Sequence, residues 1–356
     1  MSKFNLSEFK QLLKTAGDRY HDHAVSSGHA DLAYERQRVK SRRAVGQVLE
    51  PFLRKAGLDV DGLNKVLAHN QDELRRTFAK QKVEAAKHSA GQRNAFHHAI
   101  ELGHKALEHL GNQPPAIGSG LSSLISLTTP FLIWEWPHPS PDQLRDSHIE
   151  ALKSWAKILI GVPAYSFDND EGSDSKEFSF YFLWENNSDF LAVAKVFSVL
   201  SLTGTCEAWA NSGVFSGDTM GLSIQASLFP ISYWLPLPSG GTINNLRVFG
   251  DPLQNQTVLN LSVTGGALFG SAGDSGPQVF AATPFGLSFG SGAFGGIAIP
   301  GRATALFEVS LKISWSWDGN TLPDEILADF ANDTLHHRVE CPIVVLQLLT
   351  APPAMA

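Results

Sequence analysis

The spacing of the apolar residues changes once along this chain of 356 residues, near residue 112, and the change constrains the fold strongly. Before it, apolar residues recur every three or four positions, which is typical of helices that bury one face. After it, they alternate with polar residues, as in strands that bury one face of a sheet. The sequence therefore predicts an α+β multidomain chain, with a helical domain at 1–112, a linker at 113–127 and a β-domain at 128–356.

The helical domain contains one very long candidate helix. From about Asp61 to Leu110 there is no proline, and the apolar positions follow the three-four spacing of a coiled-coil-like seam. A helix of this length needs a neighbour to cover the seam, so we expect a helical hairpin, a bundle or association with other copies. Gln81 and His88 dilute the seam, and SAGQ at 89–92 is a point where the helix could break. The seam consists of Leu63, Leu67, Leu74, Phe78, Ala85, Phe96, Ala99, Leu102 and Ala106.

The β-domain shows its alternation most clearly at 303–317, where apolar residues occupy every second position. About nine such segments, separated by turn signals rather than helices, favour an antiparallel β-sandwich that is jelly-roll-like. The segment 323–330 instead begins like a short helix, and 140–160 combines a helix start with an end that could be strand. The remaining strands are predicted at 131–136, 178–185, 191–202, 221–228, 243–249, 256–263 and 341–349.

Charge also divides the chain. The helical domain has a net charge of +6, whereas residues 113–356 have a net charge of −13. Such asymmetry indicates either separate partners or mutual attraction between the two parts. The basic stretch ERQRVKSRR suits an anionic partner such as nucleic acid or lipid, and equally the acidic β-domain. The predicted interaction residues in this stretch are Arg36, Arg38, Lys40, Arg42 and Arg43.

The β-domain is unusually poor in charge. Between Val196 and Pro300 only five residues are charged. A free sandwich needs charged outer faces to stay soluble and to protect its edges, so we expect much of this surface to be covered. The glycine- and phenylalanine-rich stretch FGLSFGSGAFGG supplies the predicted contact residues Phe285, Phe289 and Phe294.

One short motif raises the question of serine catalysis. GDSGP at 273–277 resembles the nucleophile loop of chymotrypsin-like proteases, which implies a nucleophile at Ser275. The stretch lacks one glycine of that loop, and no histidine stands in the Ala-Ala-His-Cys setting of that family. Because glycine and Asp-Ser pairs also make turns, the sequence predicts a turn between two strands.

A second pattern raises the question of a metal. His97, Glu101, His104 and Glu108 lie three or four residues apart and therefore on one side of a helix. Glu101 and His104 resemble half of the Glu-x-x-His pair of ferritin-like di-metal proteins. The helical domain has no second such pair, so we expect no metal and a solvated or interface-lining face.

Other candidates have structural explanations. The acidic loop with Asp168, Asp170, Glu171 and Asp174 could hold calcium, but its glycine comes one position too early for an EF-hand. The tryptophan pairs at 134/136 and 315/317 each share a sheet face, where core packing is favoured over sugar stacking. Whether the two cysteines, Cys206 and Cys341, pair stays open.

These observations predict a non-enzymatic structural protein that forms a homo-oligomeric particle, ring or fibre, by analogy with virion-like or phage-like shells. Its partners are other copies of itself, with an anionic partner or nucleic acid at the helical domain and a membrane as further options. No cofactor, metal or small-molecule substrate is expected. The alternatives are a membrane-binding pore-forming protein and a carbohydrate-binding sandwich. Without a signal-peptide pattern or an apolar run of membrane length, a cytoplasmic or particle-associated location is expected.

Overall fold

A computed structural model shows a two-layer β-sandwich with helices on its outside. The structure describes residues 6, 7, 9–11, 13, 41, 44–111, 123–136, 147–152, 154–163, 171–210, 218–234, 254–264, 277–289, 296–318 and 325–349.

The long helix spans Val60–Gly111, 52 residues, which confirms the predicted span closely. At 1.5 Å per residue it is about 78 Å long. Asp59 caps its start, since Asp59 Oδ1 accepts a hydrogen bond from the backbone N–H of Gly62 at 2.8 Å. The helix does not break at 89–92, where Ser89 is buried and its hydroxyl donates to the carbonyl of Ala86.

A helical hairpin stabilises the start of the long helix. Residues 44–55 are helical, and Leu49 and Leu53 pack with Leu67 against the buried Val60. Gly57 makes the turn between the helices with a φ of 92°, a left-handed conformation that favours glycine. The long helix thus has an intramolecular neighbour over its first turns, as the hairpin option predicted.

Thirteen strands are described, and all of their pairings are antiparallel. The strands are β1 Ser123–Leu127, β2 Leu132–Trp136, β3 Ser147–Leu152, β4 Trp155–Pro163, β5 Glu171–Glu185, β6 Ala192–Trp209, β7 Thr219–Trp234, β8 Gln254–Thr264, β9 Gln278–Phe289, β10 Ile297–Ile299, β11 Thr304–Asp318, β12 Glu325–Phe330 and β13 Arg338–Leu349.

The strands form two sheets. The eight-stranded sheet has the order β1-β13-β4-β12-β6-β10, with β3 beside β4 and β9 beside β6. The five-stranded sheet has the order β2-β5-β11-β7-β8. Their inner faces enclose one apolar core, in which Phe180, Phe307 and Trp315 are among the largest buried side chains. Trp315 therefore packs in the core, as its place on the apolar face of 303–317 predicted.

The predicted helix at 323–330 contains a strand, and the segment 140–160, which combined a helix start with a possible strand end, also contributes strands. Residues 147–152 form β3, residues 155–160 lie in β4, and residues 325–330 form β12 between β4 and β6. In β12, Ile326, Ala328 and Phe330 alternate into the core, so pairing on both sides outweighs the helix-start signal of Pro323. In addition, β1 lies inside the segment that we predicted as linker and pairs with β13.

Helical residues that precede the sandwich in the chain cover part of the outer face of each sheet. The long helix packs against β9 and β1 of the eight-stranded sheet. On the five-stranded sheet, the ring of Phe9 lies 5.4 Å from that of Tyr181 and 5.7 Å from that of Phe131. Phe9 is fully buried there, and Leu13, one helical turn further on, is also buried. Both contacts remove sheet surface from water within a single chain.

The carboxylate of Asp329 organises the turn between β12 and β13. Asp329 Oδ1 accepts hydrogen bonds from the backbone N–H groups of Ala331 and Asn332, at 2.9 and 3.1 Å. Asp329 Oδ2 lies 3.2 Å from Nδ1 of His337. Burial opposes ionisation of Asp329, but His337 and the two N–H groups outweigh it and hold its pKa below the ordinary value.

This depressed pKa makes the turn sensitive to acid. The charge of Asp329 stabilises the fold above the unfolded-state pKa of about 3.9, and this contribution is lost as pH falls through the lower folded-state value. We expect Asp329→Asn to be less stable than the unmodified protein near neutral pH. The difference in free energy of unfolding should shrink below about pH 4. Urea unfolding of both proteins across the acid range measures this, and a difference independent of pH would contradict it.

Candidate interaction surfaces

The loop between β5 and β6 presents two large apolar side chains to solvent. Phe190 is 80% exposed and Leu191 is 61% exposed. No residue in the described part of the chain covers these two side chains, although the loop that carries them is held in place. We call residues 186–191, together with Arg302, the Phe190 loop.

The side chain of Asn186 fixes the Phe190 loop to the rest of the sandwich. Its side chain is buried, and its amide Nδ2 donates to the carbonyls of Phe190, Ile299 and Pro300 at 2.8, 3.2 and 3.0 Å. Its Oδ1 accepts from the hydroxyl of Ser188 at 2.7 Å. One buried side chain thus ties the loop to the segment that follows β10, which fixes the position of the exposed residues.

Backbone contacts add to this framework. The N–H of Arg302 donates to the carbonyls of Asn186 and Ser188, both at 2.9 Å. A Cβ at Gly301 would overlap the backbone of Asp189, so only glycine allows the two segments to approach this closely. Arg302 itself has a φ of 60°, in the left-handed region. The Phe190 loop is therefore a preformed surface.

An exposed ion pair includes the residue that directly precedes the apolar pair. Arg302 Nε donates to Asp189 Oδ1 at 2.7 Å, and the two side chains are 49% and 74% exposed. This hydrogen bond lowers the pKa of Asp189 and raises that of Arg302, so both groups are charged near neutral pH. The Phe190 loop therefore combines an apolar centre with one anion and one cation.

A second surface is the contact between the long helix and the eight-stranded sheet. Basic side chains of the helix meet carboxylates on the outer face of the sheet. Lys82 pairs with Glu207, which is buried, and His97 Nε2 lies 3.2 Å from Glu340 Oε2. The pairs described between helix and sheet include Arg75–Glu325, Lys82–Glu207 and His97–Glu340. Some of the basic residues of the first part of the chain thus pair with acidic residues of the second part, which agrees with the mutual-attraction alternative.

Hydrogen bonds and an aromatic contact complete this interface. Trp209 Nε1 donates to Glu207 Oε2 at 2.9 Å, and the Arg75 guanidinium lies 4.8 Å from the centre of the Trp209 ring. Gln71 Nε2 donates to the carbonyl of Ala210 at 2.9 Å. Within the described residues, the helix therefore supplies polar partners to a sheet face that the sequence argument assigned to contacts with other copies.

The predicted helical seam is divided between two sides of the long helix. Phe78 is buried, whereas Leu63, Leu74 and Leu102 are 41, 60 and 53% exposed. The face that meets the sheet includes polar residues such as Gln71 and Lys82. Exposed apolar side chains also lie on the preceding helical segment, where Val45, Val48 and Phe52 are 46, 75 and 69% exposed.

The predicted interaction residues are only partly described. Phe285 and Phe289 lie on β9 and are half-buried against the core, with the Phe285 ring 6.2 Å from that of Phe280. Their predicted role in contacts stays a prediction. Arg36, Arg38, Lys40, Arg42, Arg43 and Phe294 lie outside the described residues.

The candidate chemical sites do not come together in the described part of the chain. His97 pairs with Glu340, and Glu101 pairs with Lys105. Ser275, Asp168 and Asp170 lie outside the described residues, as do the side chains of Glu171, His104 and Glu108. Asp174 Oδ1 accepts from the backbone N–H of Ser175 at 2.6 Å. Among the described residues, no group of three or more His, Cys, Asp or Glu side chains could hold a metal ion.

Both cysteines are free thiols inside the sandwich. Burial raises the pKa of Cys341 to about 12, and burial with the charges of Glu207 and Asp329 raises that of Cys206 well above its ordinary value. The thiolate is the reactive form of cysteine. Both thiols are therefore protected from reaction, because they are buried and because they stay protonated.

We expect neither thiol to react with Ellman's reagent in the folded protein at mildly alkaline pH, and both to react after unfolding in guanidinium. The absorbance change of the released thiolate counts the reactive groups. A rapidly reacting thiol in the native protein would contradict the buried positions.

Within the described ranges, no helix combines the length and apolar character needed to cross a bilayer.

The Phe190 loop was missed by the sequence argument. Its one signal is the NNS turn followed directly by Phe190 and Leu191, two large apolar residues placed before the alternation of β6 begins.

Comparisons with known proteins identify no family. No protein-family model and no curated protein matches the sequence. Among solved structures, the chain has a similarity to one titled "Structure of infectious bursal disease virus Gx strain", with 12% identity and a TM-score of 0.13. The match covers 68% of this chain and 45% of that chain, so the chain spans less than half the length of the structure that it matches. A similarity of this size carries no argument about fold or function.

Proposed function

We propose that this protein is a non-enzymatic structural protein that associates with copies of itself into a particle, ring or fibre. The observation that carries the proposal is the Phe190 loop, which holds Phe190 and Leu191 in solvent at 80 and 61% exposure on a hydrogen-bonded framework. Fixed, exposed apolar side chains of this kind mark contact sites between proteins.

The covered faces of the sandwich limit where copies of the chain could meet. The long helix and Phe9 each cover part of an outer face, so the charge-poor β-domain needs less cover from other chains than its sequence suggests. Among the described residues of the β-domain, Phe190 and Leu191 of the Phe190 loop are the most exposed large apolar side chains. Association through a defined patch is expected for a specific assembly, whereas non-specific aggregation would use apolar surface throughout the β-domain.

The finer architecture belongs to this proposal. We infer that the sandwich acts as a jelly-roll-like unit, in analogy with shell proteins, and that the long helix supports contacts between copies in the manner of a coiled coil. Its basic stretch at 35–43 is proposed to meet an anionic partner, with nucleic acid as one candidate.

A membrane-binding role is the second candidate. It is favoured by the exposed apolar residues of the helical hairpin, above all Val48 and Phe52 at 75 and 69% exposure. Such a face can lie in a lipid interface. Carbohydrate binding has less support, because Trp315 is buried and Trp317 packs partly against the core.

Sedimentation velocity of the full-length chain, with negative-stain images of the same sample, tests the proposal. We expect species larger than the 38.6 kDa chain that form defined rings, particles or fibres. A single species at the chain mass that binds anionic liposomes would reject self-assembly in favour of the membrane role. A single species at the chain mass that ignores liposomes would reject both.

A further inference from the structure

We propose that the Phe190 loop is the site where two copies of this chain meet about a two-fold axis. This inference rests on the proposed self-assembly and deepens it by naming the contact. In a two-fold contact the same patch occurs on both partners and must be complementary to itself. The apolar centre and the opposite charges of the Phe190 loop meet that condition, and the rigidity of the loop favours binding.

The apolar centre supplies the driving force. Phe190 and Leu191 are adjacent in sequence and exposed together, so two facing loops would bury four large side chains at once. Aromatic anchors near the middle of a contact contribute most of its affinity, and the surrounding contacts exclude water.

The charges supply the orientation. Asp189 and Arg302 lie beside the apolar pair, exposed and already paired with each other. A two-fold axis that passes between the two charges, perpendicular to the line that joins them, brings the anion of one copy towards the cation of the other, so that the patch attracts its own copy. The same carboxylate opposes burial in lipid, which favours a protein partner over a membrane at this site.

The rigidity lowers the cost of binding. Asn186 donates to three carbonyls around the loop, and the backbone of Arg302 donates to two more. Side chains and loops that are ordered before association lose less conformational freedom when a contact forms. Phe52 offers similar exposure, at 69%, on a helix surface without this framework, and therefore serves as a matched control.

The first experiment compares two variants of the full-length protein. Phe190→Ser/Leu191→Ser removes the apolar centre, and Phe52→Ser removes an equally exposed aromatic elsewhere. Light scattering over a concentration series gives the association constant, and circular dichroism shows that both variants fold. We expect the loop variant to associate at least about tenfold more weakly than the unmodified protein, and Phe52→Ser to be unchanged.

The outcomes separate this inference from the proposed function. If the unmodified protein is monomeric at every concentration, self-assembly itself is rejected. If the unmodified protein and the loop variant associate equally, self-assembly stands and the Phe190 loop is not the contact. If the loop variant keeps its association but loses liposome binding, the loop is a lipid site and the inference is overturned.

The second experiment tests the two-fold geometry. In Asp189→Arg and in Arg302→Asp, two facing loops carry only like charges, so each variant alone should associate more weakly than the unmodified protein. Aspartate is among the residues that tolerate the left-handed backbone at position 302. An equimolar mixture should recover association, because cations on one chain then face anions on the other. A mixture no stronger than the separate variants would overturn the two-fold contact.

Discussion

Replacing Lys82 with methionine is expected to lower the free energy of unfolding by about 3 kcal/mol, because Glu207 then remains buried without a cation. Glu207 lies beneath the long helix and keeps only the indole N–H of Trp209 among its described partners. Methionine preserves most of the packing volume of the lysine stem, so the loss reports the charge. Urea unfolding followed by circular dichroism measures the change.

Two further variants make this result specific. Lys82→Met/Glu207→Gln removes both charges and should return the stability to within about 1 kcal/mol of the unmodified protein. Lys87→Met breaks the exposed pair with Glu84 on the same helix and should change the stability far less than Lys82→Met. Equal effects of Lys82→Met and Lys87→Met would show that the long helix does not cover Glu207.

Replacing Phe9 with alanine is expected to destabilise the protein by about 3 kcal/mol, the typical cost of removing a buried phenylalanine. Phe9 is fully buried against Tyr181 and Phe131. Glu308, paired with Tyr181 across the neighbouring strands, is also fully buried and accepts a hydrogen bond from Ser179. Loss of the Phe9 contact therefore also threatens the cover of a carboxylate.

Leu6→Ala is the matched control for this prediction. Leu6 lies one helical turn away from Phe9 and is 40% exposed, so its truncation should cost less than about 1 kcal/mol. Thermal unfolding of both variants gives the comparison. Equal stability of Phe9→Ala and the unmodified protein would show that the N-terminal segment does not cover the five-stranded sheet.

Much of the sandwich could be predicted because alternation is a direct consequence of strand geometry. The apolar residues of 303–317 face the core in β11, as their spacing indicated. Residues 325–330 have the same alternation. However, the proline and aspartate at 323–324 directly before them are also typical of the start of a helix. Only the pairing of β12 with both β4 and β6 decides between the two, and local sequence does not contain that information.

The helical domain shows a different limit. Its long helix was predicted because helical spacing and the absence of proline are local properties. The sheet that covers its buried face was not predicted. The eight-stranded sheet has carboxylates on its outer face, and the helix contacts them through Lys82 and Arg75 rather than through leucine side chains. Apolar periodicity cannot detect a face that is buried through ion pairs.

The candidate contact surface was the least predictable feature. The exposure of Phe190 and Leu191 depends on Asn186, which reaches carbonyls more than a hundred residues away at Ile299 and Pro300. In the sequence, two apolar residues at the start of a strand favour a place in the core. Phe285 and Phe289 show the converse, since a stretch that we predicted as contact surface packs partly against the core.

The mass of the full-length protein in solution, measured by light scattering over a concentration series, tests the central claim of self-assembly most directly. We expect a mass above 38.6 kDa that increases with concentration towards a defined assembly. A mass that stays at 38.6 kDa at every concentration would contradict the account.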